Sequence, residues 1–214
     1  MKPLLQIALD VTSLEQAINI LKKDDLAKEV DLIEAGTVLL AAEGKNAVKV
    51  LRSLYPNKTL VADFKIADAV NTIGGMLFDC GANLITVIAA ADLATMENAA
   101  KLASKYGQII QIELYGRWDT ALAAQWRQAG ITQIIYHHAR DASKAWDESD
   151  LTKIKGLIDL GFEVNVTGGL NPETIPFFKG LQITSFIVGR SLYEAQDPIQ
   201  VARAFQDQIT SVFC

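Results

Sequence analysis

Glu34 and Asp63 are carboxylates near the ends of two neighbouring β-like runs, "VDLIEAG" (30–36) and "TLVADFK" (59–65). Hard oxygen donors of this kind suit Mg²⁺, which takes one or two carboxylates and fills its other positions with water or substrate oxygens. A pair of solvated acids in a cleft is the plainer alternative. "VADFKIAD" (61–68) adds Lys65 and Asp68 to Asp63. Strand alternation turns Asp63 and Lys65 to one face, with Phe64 and Ile66 on the other and Asp68 just past the strand end. An ion-pair network fixing the strand is a weak reason for such a cluster, because desolvation offsets most of the Coulomb gain of buried pairs. "VTGGL" (166–170) and "IVGRS" (187–191) carry Thr167, Gly168, Gly169, Gly189 and Arg190 in turns after two consecutive runs. Glycines let backbone N–H groups approach a phosphate, a following helix N-terminus adds a favourable dipole, and Arg190 adds a forked cation. His137, with Arg140 close behind it in "HHAR", suits a site that hands protons to an anion.

These residues need a scaffold that gathers them. Eight β-rich runs recur: 4–10, 30–36, 59–65, 84–89, 109–114, 133–138, 163–168 and 185–190. Their starts lie ~20–30 residues apart, about one βα unit. The segments between read as helices. "TSLEQAINILKK" opens with Thr12 and Glu15 at capping-box spacing, and its Leu14, Ala17, Ile18 and Leu21 form one apolar face. Gly107 and Gly130 stop two further helices. Residues 139–150, "ARDASKAWDESD", read as a longer polar loop. This pattern predicts one (β/α)₈ TIM barrel over 1–214, with an open doubly wound sheet as the runner-up. Barrel chemistry sits at the C-terminal strand ends. Asp10, Glu34, Asp63, Lys65, Glu113, His137, Thr167, Gly189 and Arg190 fall there, while the strand starts are mostly uncharged. Alternation allows only one of His137 and His138 to face the barrel interior. Trp118, Trp126 and Trp146 read as packing groups, and Arg117 has no assigned role.

Composition narrows the classes. Half of the 214 residues are hydrophobic, enough for a sizeable core, and the net charge of −5 with no basic run argues against a nucleic-acid surface. Cys80 and Cys214 show neither disulfide-type nor metal-type spacing and read as reduced thiols of a cytoplasmic protein. Neither a signal peptide nor a membrane span is expected: the N-terminal apolar run is broken by Asp10, and no apolar run reaches the ~20 residues a span needs.

"DFKIAD" matches the Asp-x-Lys-x-x-Asp motif of the orotidine monophosphate decarboxylase superfamily. "LQIALD", "VDLIEAGT", "QIELYG", "IIYHHARDA", "VTGGL" and "IVGRS" extend the likeness over nearly the whole chain. Together they resemble the branch that decarboxylates 3-keto-L-gulonate 6-phosphate to L-xylulose 5-phosphate in L-ascorbate utilisation. The resemblance implies a Mg²⁺-dependent barrel homodimer working through an enediolate. It implies that Glu34 and Asp63 hold the metal, Lys65 sits beside the enediolate, and Asp68 reaches the partner's site and holds the lysine. It further implies that Asp10 and Glu113 orient hydroxyls or neighbouring side chains, that His137 and Arg140 help deliver a proton, and that Thr167, Gly168, Gly169, Gly189 and Arg190 hold the phosphate. Glu34 stands where orotidine monophosphate decarboxylase is expected to carry lysine. The strand 2 and 3 ends lack the histidine ligands of ribulose phosphate epimerase. Arg140 distinguishes the chain from hexulose phosphate synthase, the nearest alternative, which adds formaldehyde to ribulose 5-phosphate. A non-catalytic sugar-phosphate sensor should keep the phosphate turns and lose some of the acid, lysine and histidine groups, all of which are present here.

Overall fold

The computed structural model describes residues 2–138 and 145–214. The strands are β1 (Leu4–Leu9), β2 (Leu32–Ala35), β3 (Thr59–Ile66), β4 (Leu84–Ile88), β5 (Ile109–Glu113), β6 (Gln133–His137), β7 (Glu163–Thr167) and β8 (Ile183–Val188). They pair in parallel in chain order, and β8 closes onto β1 through Leu4–Ser185 and Gln6–Ile187. That closing ladder makes the sheet a (β/α)₈ barrel and excludes the open sheet. The runs are nearly continuous in apolar residues because strands of this kind are covered on both faces.

The outer layer holds α1 (Leu14–Lys22), α2 (Leu26–Glu29), α3 (Thr37–Glu43), α4 (Lys45–Leu54), α5 (Val70–Asp79), α6 (Leu93–Tyr106), α7 (Thr120–Gln128), α8 (Glu148–Asp159), α9 (Arg190–Tyr193) and α10 (Pro198–Phe213). The N-cap of α1 is Ser13, whose Oγ accepts from the Gln16 N–H; Thr12 lies one residue outside and instead donates to Gln16 Oε1. Asp92 caps the start of α6, and Gly107, left-handed at φ 64°, ends it as its position suggests. The polar stretch before α8 ends in a cap: the Asp147 side chain accepts from Ser149 and Asp150 N–H, and the Asp150 side chain accepts in turn from the Asp147 N–H. Residues 139–144 of that stretch lie outside the described part. Between β7 and β8 the connection is a 3₁₀ segment, Pro172–Phe178, capped by Asn171 and containing Pro176. Proline lacks the N–H that a longer α-helix would need there.

The main core lies between the strands and the helices and includes fully buried Trp126, Phe178, Phe186 and Phe205. Inside the barrel, Leu32, Val61 and Leu84 form one apolar layer, and Ala8, Ile135 and Ile187 another nearer the C-terminal mouth. Buried polar side chains share this interior and bond to one another: Gln111 Nε2 donates to Gln133 Oε1 at 2.9 Å, and Ser185 Oγ to Asn165 Oδ1 at 2.7 Å. At the outer edge Arg52 ties α4 to the start of β4, donating to the carbonyls of Gly81, Pro56 and Lys58. Among the described residues no helix is long and apolar enough to cross a membrane.

Candidate active site

The C-terminal mouth holds a cavity of about 810 Å³. Its lining includes Asp10, Glu34, Asp63, Lys65, Glu113, His137, Thr167, Gly168, Gly169, Gly189 and Arg190. Thus eleven of the thirteen site residues expected from sequence meet in one chamber. Arg140 lies outside the described residues. Asp68 is exposed, absent from the lining, and accepts from the N–H of its neighbour Ala69 at 2.7 Å.

Lys65 is placed by an irregularity of β3. The ladder to β4 slips between Ala62 and Ile66, and Lys65 takes a left-handed φ of 52°. A side chain other than glycine adopts that region at a cost and needs outside support. Thr86 supplies it: its Oγ1 accepts from the Lys65 N–H at 2.8 Å and donates to Asp63 Oδ1 at 2.8 Å. Alternation therefore fails at this point. Phe64 is 37 % exposed, whereas Ile66, expected on the same face, is 1 % exposed.

The Lys65 ammonium pairs with Asp63 Oδ2, lies 2.8 Å from Glu113 Oε2 and donates to Thr37 Oγ1 at 2.7 Å. The Thr37 hydroxyl in turn donates to Asp63 Oδ2 at 2.6 Å. Within the protomer the acids that hold the lysine are thus Asp63 and Glu113, and the expected Asp68 contact is not among its bonds. Burial alone would lower the lysine, but the Asp63 and Glu113 charges overcome it and hold the ammonium above its ordinary value. Burial alone would raise Asp63, but Lys65 and the surrounding hydrogen bonds hold it below the usual range. Glu34 is not held low in this way. Burial, reinforced by Asp63, pushes its carboxyl well up, and Lys65 offsets only part of this.

Glu34 accepts from the fully buried Gln6 side chain through Oε2. No described group donates to its Oε1. The mouth therefore carries more buried carboxylate than cation. That donor set fits Mg²⁺: oxygen only, two carboxylates on adjacent strands, with open positions for water or substrate. Among the described residues no cluster of three or more His, Cys, Asp or Glu is placed to hold a metal ion, so the three- or four-ligand protein set typical of Zn²⁺ is not formed.

On the opposite wall, Glu113 Oε1 lies 2.8 Å from His137 Nδ1, and the Tyr115 hydroxyl 3.1 Å from His137 Nε2. Burial raises Glu113, and the His137 bond offsets part of it. His138 also lines the cavity, contrary to strand alternation. It follows the last residue of β6, where the period-2 rule ends, and its ring lies 4.7 Å from that of Trp146.

The glycine turns form the remaining rim. Gly168 has a φ of 102°, and a Cβ there would lie 2.0 Å from the His138 carbonyl oxygen. Trp146 Nε1 donates to the Gly168 carbonyl at 3.0 Å, and Ser191 Oγ to the Leu170 carbonyl at 2.8 Å, which binds the two turns together. A 3₁₀ segment follows β7, and the short helix α9 starts at Arg190 directly after Gly189, so the N-terminus of a four-residue helix stands at the second turn. The groups these turns offer an anion are backbone N–H groups and the Arg190 side chain. Across the mouth Asp10 Oδ1 accepts from the Val38 N–H at 3.2 Å, and a Cβ on Gly36 would come within 2.4 Å of the same oxygen.

Tyr115, Thr37, Thr86 and Gln6 escaped the sequence reading because uncharged side chains leave no charge pattern. Tyr115 did carry a signal, an aromatic hydroxyl two residues after Glu113 and just past the end of β5.

The model of the orotidine 5'-phosphate decarboxylase / HUMPS family matches residues 3–205. The chain is 45% identical over 214 residues to 3-keto-L-gulonate-6-phosphate decarboxylase UlaD of Salmonella paratyphi B, covering 99% of this chain and 98% of that one. A ligand-bound crystal structure of KGPDC from Streptococcus mutans superposes with a TM-score of 0.96 at 44% identity, over 100% of both chains. That of 3-hexulose-6-phosphate synthase from Salmonella typhimurium gives 0.87 at 28% identity, over 97% of this chain and 99% of that one. With its barrel, its charged mouth and its full-length match, the chain belongs to the orotidine 5'-phosphate decarboxylase / HUMPS family, a family of enzymes.

Proposed function

We propose that this enzyme is a carboxy-lyase that converts 3-keto-L-gulonate 6-phosphate into L-xylulose 5-phosphate and CO₂, in the service of L-ascorbate utilisation. The observation that carries the reading is the Lys65 ammonium held between Asp63 and Glu113 in a chamber whose far rim bears the glycine turns and Arg190. Loss of CO₂ from a β-keto acid leaves an enediolate anion. A fixed cation in a water-poor site stabilises such charge without reorganising during the reaction. Lys65, 19 % exposed and doubly paired, is such a cation.

In this reading Glu34 and Asp63 hold Mg²⁺, which supplies Lewis-acid stabilisation of negative charge on substrate oxygen when bound. Arg190 and the N–H groups of 168–169 and 189 hold the phosphate, Thr167 borders it, and Asp10 orients a substrate hydroxyl. Glu113 keeps both Lys65 and His137 in place. His137, with Arg140, returns a proton to the carbon that lost CO₂. Asp68 completes the site of a second copy in a homodimer. Its exposure supports this, as do the exposed Val38, Phe64 and Met76 on the neighbouring α3, β3 and α5.

The test is a paired assay with Mg²⁺ and with EDTA. One arm follows CO₂ release from 3-keto-L-gulonate 6-phosphate, and the other follows the aldol reaction of formaldehyde with ribulose 5-phosphate. Fast, Mg²⁺-dependent CO₂ release with little aldol product is the expected result. A dominant aldol reaction would make the enzyme a hexulose phosphate synthase, and silence in the first arm would remove the substrate assignment.

A further inference from the structure

We infer that Trp146 is a positioning residue: its indole fixes the Gly168–Gly169 peptide so that the Gly169 N–H faces the chamber, where a substrate phosphate meets it. The inference rests on the proposed phosphate role of the glycine turns for its consequence in binding, and on geometry alone for the placement of the peptide.

Trp146 stands one residue before Asp147, the N-cap of α8. Its ring meets the fully buried Phe178 edge-on at 4.9 Å and lies 4.7 Å from the His138 ring. The cap beside it is tied to the barrel. The Tyr136 hydroxyl, on β6, donates to Asp150 Oδ1 at 2.7 Å, and Asp150 Oδ2 accepts from the Asp147 N–H at 2.9 Å. The indole is therefore a fixed group, and packing accounts for its ring. Packing does not account for the direction of its N–H, which donates to the Gly168 carbonyl at 3.0 Å.

That bond sets a peptide plane. The C=O and N–H of a trans peptide point in opposite directions, so a Gly168 carbonyl drawn toward Trp146 sends the Gly169 N–H away from it. Trp146 lines a smaller cavity of about 350 Å³ behind the turn and is absent from the chamber wall, whereas Gly168 and Gly169 line both spaces. The N–H side of the peptide is thus the chamber side. No described group accepts from the Gly169 N–H, and a Cβ at Gly169 would meet nothing within 4 Å. Two successive glycines, at φ 102° and 62°, leave such a plane free to turn over at little steric cost. The indole removes that freedom. On the strand side the turn is pinned as well, since the His138 N–H donates to the Thr167 carbonyl at 2.9 Å. A donor already aimed at an anion spends none of the binding energy on being ordered.

Trp146→Phe keeps an aromatic ring and deletes the N–H. Protein labelled with ¹³C-carbonyl, ¹⁵N-glycine carries only two Gly–Gly peptides, Gly74–Gly75 and Gly168–Gly169, and Gly75→Ala identifies the first. In the free native protein the Gly168 carbonyl should read as hydrogen-bonded, and Trp146→Phe should move its signal in the direction of a lost bond. Ribulose 5-phosphate, added without formaldehyde, should shift the Gly169 N–H signal. Trp146→Phe should weaken that binding about three- to tenfold, the effect of one neutral hydrogen bond, and raise KM for CO₂ release by a like factor with kcat little changed. A Gly168 carbonyl signal left in place by the substitution would overturn the inference. So would ribulose 5-phosphate binding that leaves the Gly169 signal still, or a loss confined to kcat. A native protein that binds ribulose 5-phosphate yet releases no CO₂ would remove the decarboxylase reading and leave this inference standing. A native protein that binds no sugar phosphate would remove the phosphate reading and the binding role of Trp146 with it, while the carbonyl signal of the free protein still decides whether the indole holds the peptide.

Discussion

Replacing Lys65 with alanine removes the cation that faces Asp63 and Glu113 together. In the native protein Nζ lies 2.8 Å from Glu113 Oε2 and 2.7 Å from Thr37 Oγ1, and its side chain is 19 % exposed. Solvent therefore screens it poorly. A unit charge developing about 4 Å away at an effective dielectric of about 20 is stabilised by about 4 kcal/mol. Losing that stabilisation in the transition state alone lowers kcat roughly 10³-fold. The same deletion leaves Glu34, Asp63 and Glu113 facing one another. Glu34 and Glu113 already lie above the ordinary carboxyl value through burial and would rise further, and Asp63 would lose the charge that holds it low. A group raised on folding contributes stability that is fully present below its unfolded value, about 4.3 for glutamate, and is lost as pH rises through the folded value. Lys65→Ala should therefore fold at pH 5.5 and melt at a clearly lower temperature at pH 8, by a wider margin than the native protein. The assay is CO₂ release at saturating substrate and Mg²⁺, with melting followed by circular dichroism at both pH values. A kcat within tenfold of the native enzyme, or a melting temperature indifferent to pH, would refute the reasoning.

Further outcomes follow from the same geometry. In the proposed reading Mg²⁺ would compete with protons for Glu34, so it should raise the melting temperature of the native protein more at pH 8 than at pH 5.5. Glu34→Gln should abolish that difference. Gly168→Ala forces a Cβ to within 2.0 Å of the His138 carbonyl oxygen at a φ of 102°. The backbone strain alone costs about 1–3 kcal/mol. Chemical denaturation should show at least that loss, and the KM for the sugar phosphate should rise as the turn shifts.

Much of this protein was legible from sequence because its signals are local. Alternating runs and helical periods marked eight βα units, and Gly107 marked where α6 ends. The barrel rule then gathered acids, lysine, histidine and glycines at one mouth without any distance being known, since parallel strands in one closed sheet end on one side. What escaped depends on closure. The left-handed Lys65 is held by Thr86, 21 residues away on β4, and local preference argues against such a backbone for lysine. Asp68 stands closer to Lys65 in sequence than Glu113 does, yet it is Glu113 on β5 that joins Asp63 in pairing with it inside the protomer. The Tyr115–His137–Glu113 chain joins β5 and β6 through uncharged and charged groups alike. Sequence by itself determined the elements and the side of the barrel where the chemistry sits, because those follow from period and connection. Only the tertiary structure decided which groups touch, because distances across a barrel are set by how its strands register and close.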